Sequence, residues 1–254
     1  MKYRLAVALL IVAVLASTGL AGAARADDTQ SSPLGYHMAA GDTFGLNLKM
    51  SADVPTQGHK EGTAHTAAKV ESVLADGLRL HVDLQTSAKE RYALGMGVDL
   101  SPTGQASNIT GVDMNNDTDA VMAKDVASLG VPSLPDAPVA IGTSWQAQRT
   151  VFIPKAPLPG IPSQIRVDLG YTVKALRTEN GRAVVDVAVT GKEPAGQSVK
   201  VNATGTWTVD AATGKPLRAH LEGAATMHVV FSDLKLPFVI DATAPSFSQF
   251  ASLR

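Results

Sequence analysis

Phe44, Leu46, Leu48 and Met50 alternate with Gly45, Asn47, Lys49 and Ser51, and a period of two predicts a strand with one dry and one wet face. Residues 52–62 read as loop, and Thr63–Val73 as a second strand with less distinct faces. Asp76-Gly77 then supplies a tight turn. Leu78, Leu80, Val82 and Leu84 alternate with Arg79, His81, Asp83 and Gln85, and Tyr92, Leu94, Met96, Val98 and Leu100 repeat the pattern. Ser101–Gly104 turns the chain into a polar strand that ends near Gly111. The later half is cleaner. Ile165, Val167, Leu169, Tyr171 and Val173 share one face, Asn180-Gly181 turns, and Ala183, Val185, Val187 and Val189 form the next face. Val199, Val201, Ala203, Gly205, Trp207 and Val209 follow, and Asp210–Gly214 returns the chain into Leu217, Ala219 and Leu221. Two more strands fit Ala224–Phe231 and Leu234–Ile240; Pro237 within the second marks it as an edge strand.

One stretch breaks the period. Between Asn116 and Leu129, Val121, Met122, Val126 and Leu129 fall near helical spacing, Asn116 or Asp117 can cap the start, and Gly130 can end it. Pro132, Pro135 and Pro138 make a stiff connector behind this helix. On either side of it the order of elements is the same. Gly41-Asp-Thr-Phe44 opens the first run of strands and Gly142-Thr-Ser-Trp145 the second. Gly41 corresponds to Gly142, Gly77 to Gly181 and Gly104 to Gly214, at offsets of 101, 104 and 110 residues. The expected fold is therefore mainly β: two duplicated antiparallel-sheet halves that form a curved sheet, a half-barrel or a sandwich, with one short amphipathic helix between them. Residues 27–35 are expected to be a flexible, polar, turn-rich lead, 36–112 the first β repeat, 113–135 the helix and Pro-rich connector, and 136–254 the second repeat.

The first 26 residues change the picture of where the protein works. Lys2 and Arg4 precede an apolar run from Leu5 to Ala16, and Ala24-Arg25-Ala26 places small residues at the positions a signal peptidase reads. The run is shorter than the roughly 20 residues of a membrane span. Cleavage is expected before Asp27, leaving an extracytoplasmic, periplasmic or secreted protein with no span. The cleaved segment removes three of the 22 basic residues, so 19 face 23 acidic ones, a net charge of −4. No basic run accompanies aromatic residues, which argues against nucleic acid as a partner. With no cysteine in the chain, neither disulfides nor lipid attached to a cysteine is available, and the core alone must hold the fold.

Candidate chemistry is sparse. Ser232-Asp-Leu-Lys235 matches a Ser-x-x-Lys signature, which needs its serine at the start of a helix; here it falls between two strands, without the Ser-Asp-Asn or Lys-Thr-Gly companions. Asp113, Asn115, Asp117 and Asp119 imitate a calcium loop, but Thr118 stands where the loop needs Gly and Lys124 where it needs Glu. His59 and His65 could share a metal only across a long separation, and His37, His81, His220 and His228 lack ligand spacing. No catalytic residue, metal site or cofactor is therefore assigned. The segment Val151–Pro162 carries four prolines and displays Phe152, Ile153, Leu158 and Ile161. These are the candidate ligand-binding residues, with the plugging of an open sheet end as the alternative role.

The Pro-Val-x-x-Gly-x-Ser-Trp junction (Pro138, Val139, Gly142, Ser144, Trp145) and the hairpin from Gly205 to Gly214 resemble those of uncharacterised exported bacterial β-proteins and lipoproteins. The inferred architecture more distantly resembles the half-barrels of lipoprotein-carrier proteins. The second resemblance implies an acyl chain held against a curved sheet under helices, and neither implies a role for any single residue. The function expected is a non-enzymatic exported protein that binds an apolar, lipid-like small molecule or an envelope protein through its curved apolar face. The alternatives are an envelope interaction module with a packed core and no ligand, and a hydrolase with a dispersed site.

Overall fold

Val199–Asp210, where apolar and polar residues alternate most regularly, becomes a strand with Val201, Ala203, Trp207 and Val209 buried. The computed structural model describes residues 31–54, 58–86, 92–129, 131–152, 164–229 and 232–245. Fourteen elements follow in order: β1 (Ser32–Leu34), β2 (Thr43–Val54), β3 (Gly58–Leu74), β4 (Gly77–Thr86), β5 (Tyr92–Leu100), β6 (Ala106–Thr110), α1 (Asp117–Leu129), β7 (Ala137–Val139), β8 (Ser144–Phe152), β9 (Gln164–Glu179), β10 (Arg182–Lys192), β11 (Val199–Asp210), β12 (Pro216–Val229) and β13 (Ser232–Thr243). Eleven strands form one antiparallel sheet in the order β6-β5-β4-β3-β2-β13-β12-β11-β10-β9-β8, and β1 and β7 pair separately. The protein is thus mainly β with one short helix, and of the three expected arrangements it adopts the single curved sheet.

The sheet joins the halves through β13, which pairs with β12 on one side and β2 on the other. An inward row crosses the junction: Val173, Val187, Trp207, Ala219, Ala242, Leu48 and Ala64 are successive register partners. An antiparallel sheet of this width has one face to bury, and it does so by curling until both ends reach the same helix. α1 packs against edge strand β8 on one flank and against β6 and β5 on the other, while β6 and β8 are not paired to each other.

Both halves start with the same hydrogen bonds. Gly41 and Gly142 have φ of 89° and 88°, a conformation open to glycine at little cost. Their N–H groups donate to Val70 O and Val173 O at 2.8 and 2.9 Å. The ladders then shift by one residue next to those valines, at Val70/Ser72 and at Asp186/Val187, and such bulges raise local twist. Gly104 and Gly214 close corresponding hairpins and lean on different segments. A Cβ on Gly104 would lie 2.6 Å from Pro132 O, and one on Gly214 2.4 Å from Gly35 O.

Four sequence expectations need correction. Residues 52–54 and 58–62 are strand, because the β2–β3 ladder continues through Ala52↔Lys60 to Val54↔Gly58. The end of the lead is not flexible: Ser32–Leu34 form β1, and Leu34 is fully buried and pairs with Ala137. Leu217–Leu221 and the described part of the next expected strand, Ala224–Val229, form one strand through Gly223, where an added Cβ would lie 2.4 Å from Asn202 O. Pro237 is not on an edge. Its strand lies mid-sheet, and the ladder to β2 begins one residue later at Phe238↔Ala52, so the missing N–H interrupts no pairing there.

Candidate functional site

The apolar face converges where α1 bridges the sheet's two ends. Asn116 caps the helix, its Oδ1 accepting the N–H of Thr118 at 3.0 Å, and Asp117 and Asp119 lie in the first turn, where negative charge suits the helix dipole. Asp119 Oδ1 also accepts the Tyr92 hydroxyl of β5 at 2.7 Å, which ties the helix to the first half. Of the residues that imitate a calcium loop, Asp119 thus bridges to β5 and Asp113 accepts the Asn115 N–H at 3.0 Å. Among the described residues no group of three potential ligands is placed to hold a metal.

Beneath α1 lies an apolar cavity of about 40 Å³. Leu46, Val82, Met96 and Val98 form its walls, Ala106 its edge on β6, and Val126 and Ala127 its roof. That space holds no more than a few water molecules, and its lining offers them almost no hydrogen bonds. In the second half large aromatic side chains take part in the packing. Trp145 and Tyr171 stack with centroids 5.3 Å apart, and Trp207 and Phe238 are buried.

The other flank of the helix carries a charge in an apolar setting. Asp125 is 6% exposed, and its Oδ1 accepts the backbone N–H of Phe152 on β8 at 2.8 Å. Its Oδ2 is buried without a partner. Burial pushes the carboxyl up to about 7, against the opposing pull of the Phe152 N–H. Beside it, Lys124 Nζ sits 5.3 Å from the centre of the Phe152 ring, within cation–π range. Arg149, 7% exposed on the inner face of β8, donates to Gly104 O at 2.7 Å and pairs with no carboxylate among the described residues. It ties the β5–β6 turn to the opposite sheet edge. Nearby, the connector is clamped: the Tyr36 hydroxyl donates to Pro132 O at 2.8 Å and Trp145 Nε1 to Ser133 O at 3.0 Å. Burial pushes the Tyr36 and Tyr171 hydroxyls upward, so both stay protonated, and the Tyr171 oxygen accepts the Ser133 N–H at 3.4 Å.

Of the candidate ligand-binding residues, Phe152 is half-buried between β8 and α1. Ile153, Leu158 and Ile161 lie outside the described residues. The cavity is elsewhere, under the helix and against the first half. Periodicity assigns Val126 to an apolar helix face, but that β6 and β8 would meet on this helix depends on strand order, which periodicity does not encode. Asp125 leaves a faint trace in the sequence, a lone acid among Ala123, Val126 and Ala127.

The outer face is polar and mostly self-paired. Arg177, Glu179, Asp186 and Arg218 form a network in which Arg218, then Arg177, holds Glu179 down to about 2. His59 bonds Asp53, which raises it; His65 bonds Asn47 and is lowered by burial. The two bond different partners. His220 bonds Asp241, and Ser232 and Lys235 both lie in β13 rather than at the start of a helix. A shallow depression of about 390 Å³ over β8–β10, floored by Gly170 and Ala188, is open to solvent.

No protein-family model matches the chain, and no curated protein matches it. Among solved structures, DynF from the dynemicin biosynthesis pathway of Micromonospora chersina is similar at 9% identity over 92% of each chain, with a TM-score of 0.25. A superposition that weak carries no argument about fold or function.

Proposed function

We propose that this is an exported, non-enzymatic protein of duplicated ancestry that binds the apolar chain of a lipid-like molecule between the first-half strands and α1. The observation that carries the reading is the apolar cavity roofed by α1, at the place where the curved sheet's two edges stay unpaired. A sheet closed by its own hydrogen bonds would have to break several to admit a guest. Here the closure is side-chain packing against one helix, so a chain that displaces Val126 and Ala127 replaces apolar contacts with apolar contacts. Phe152, on β8 against α1, would lie beside such an opening. The volume favours a second reading, an envelope interaction module whose core is packed and takes no ligand.

Native mass spectrometry and lipid extraction of protein purified from its own envelope separate the two. The ligand reading expects a co-purifying apolar molecule near one equivalent, reduced when Ala106→Leu fills the cavity edge while the melting transition is retained. Protein that carries nothing, and that after delipidation does not take up N-phenyl-1-naphthylamine, would leave the packed module.

A further inference from the structure

We propose that Asp125 is a proton-operated latch: its carboxyl fastens α1 to the backbone of edge strand β8, and ionisation loosens the helix and opens the apolar concavity beneath it. The latch rests on the ligand reading only for what would enter; its working parts are described above. Among the described residues, helix α1 packs against both unpaired edges of the large sheet. On the β8 side, Asp125 Oδ1 takes the outward N–H of Phe152, next to the residues Val126 and Ala127 that roof the cavity. Oδ2, buried with no hydrogen-bond partner, is the unusual feature. A carboxylate so placed lacks most of the hydrogen bonds that water would give it, and a neutral carboxyl loses far less.

The charged and titratable groups around it do not neutralise it. From β8 comes Arg149, committed to Gly104 O and the Tyr171 hydroxyl. No residue of β6 is titratable. From β5 come Tyr92, which donates to Asp119, and Asp99, which is paired with Arg79. On the helix itself, Asp117 and Asp119 lie in the first turn, and Lys124 stands over the Phe152 ring.

The direction follows from where the proton sits. With α1 seated, the carboxyl titrates near 7; with α1 lifted into water, it returns to the usual value near 4. Between those values the seated form holds a proton that the lifted form releases to water, so the opening constant rises up to tenfold per pH unit. Above 7 both forms are ionised and the constant levels off. Acid shuts the latch. From pH 5 to pH 8 the opening constant should rise about a hundredfold.

Amide hydrogen exchange tests this on the full mature chain. After correction for intrinsic exchange, Phe152 and the helix amides of α1 should show that hundredfold rise, while amides of the β10–β11 ladder show a far smaller one. In Asp125→Asn, whose side-chain oxygen can still accept the Phe152 N–H, the rise should vanish. A flat profile in the native protein, an equal rise in the Asn variant, or an equal rise in the β10–β11 amides would overturn the latch. If the variant does not fold, the side-chain carboxyl of Asp125 followed by carbon NMR in the native protein decides, and a midpoint near 4 overturns it. Uptake of N-phenyl-1-naphthylamine keeps the two proposals apart. Uptake with pH-independent exchange sinks the latch alone, and pH-dependent exchange with no uptake at any pH sinks the ligand reading alone.

Discussion

Trp207→Ala is the sharpest probe of how the curled sheet is held. Trp207 is 7% exposed on the inner face of β11, with Val187 as its partner on β10 and Ala219 on β12. Beyond Ala219 the row continues with Ala242 on β13, so the indole occupies room that two successive alanines leave free. A buried Trp removes roughly 150–250 Å² from water, worth about 4–6 kcal/mol at about 25 cal/mol per Å². Substitutions of this kind cost about 3–5 kcal/mol, and the upper part of that range applies because neither alanine can extend into the void. Urea unfolding followed by far-UV circular dichroism measures the loss without relying on the deleted fluorophore. With a slope of about 2–3 kcal/mol per M, the midpoint should fall by roughly 1.5 M or more at unchanged slope. A shift equivalent to less than about 1 kcal/mol, the size of a surface substitution, would refute the reasoning and show that the row of small residues is not filled by this side chain.

Other substitutions and the mature N-terminus give further measurable outcomes. Gly142→Ala should cost about 1–2 kcal/mol from its left-handed φ alone, since nothing lies within 4 Å of the added Cβ. Gly214→Ala, with φ of 71° and the Gly35 carbonyl in the way, should cost clearly more, and equal losses in thermal melts would count against the packing of the N-terminal lead on that hairpin. Tyr36→Phe removes the donor to Pro132 O and should cost about 1–2 kcal/mol; no change in the urea midpoint would mean that the clamp on the connector contributes nothing. Exported protein should begin at Asp27, and an intact mass that retains residues 1–26 would contradict the extracytoplasmic assignment.

Individual strands were legible because alternation is local: a half-buried strand writes its two faces into consecutive residues, as in Leu78–Gln85 and Val199–Val209. The helix was legible for the same reason, as were the turns at Asn180-Gly181, where both residues take positive φ, and at Gly41 and Gly142. Loops misread as such, at residues 52–54 and 58–62, carry few large apolar side chains and owe their strand character to the register with a partner. Of the cavity lining, Val126 was legible as part of an apolar helix face, whereas Phe152, singled out in the sequence, is not among the lining residues. The cavity itself was not legible, because its walls come from five strands and a helix brought together by the order of strands in the sheet.

Local periodicity by itself determined that this chain makes many amphipathic antiparallel strands in two similar runs around one helix. Such strands must bury one face, and that requirement is satisfied equally by two stacked sheets or by one sheet curled on itself. Only the tertiary structure chose between them, through pairing that no local pattern specifies: β13 inserts between β12 and β2 and makes the halves continuous. Once the sheet is continuous its two ends must be dealt with, and the ends meet on α1. That meeting is what sets Asp125 against the Phe152 backbone and the cavity beneath Val126 and Ala127, because buried charge and enclosed space depend on which surfaces face each other across the whole molecule.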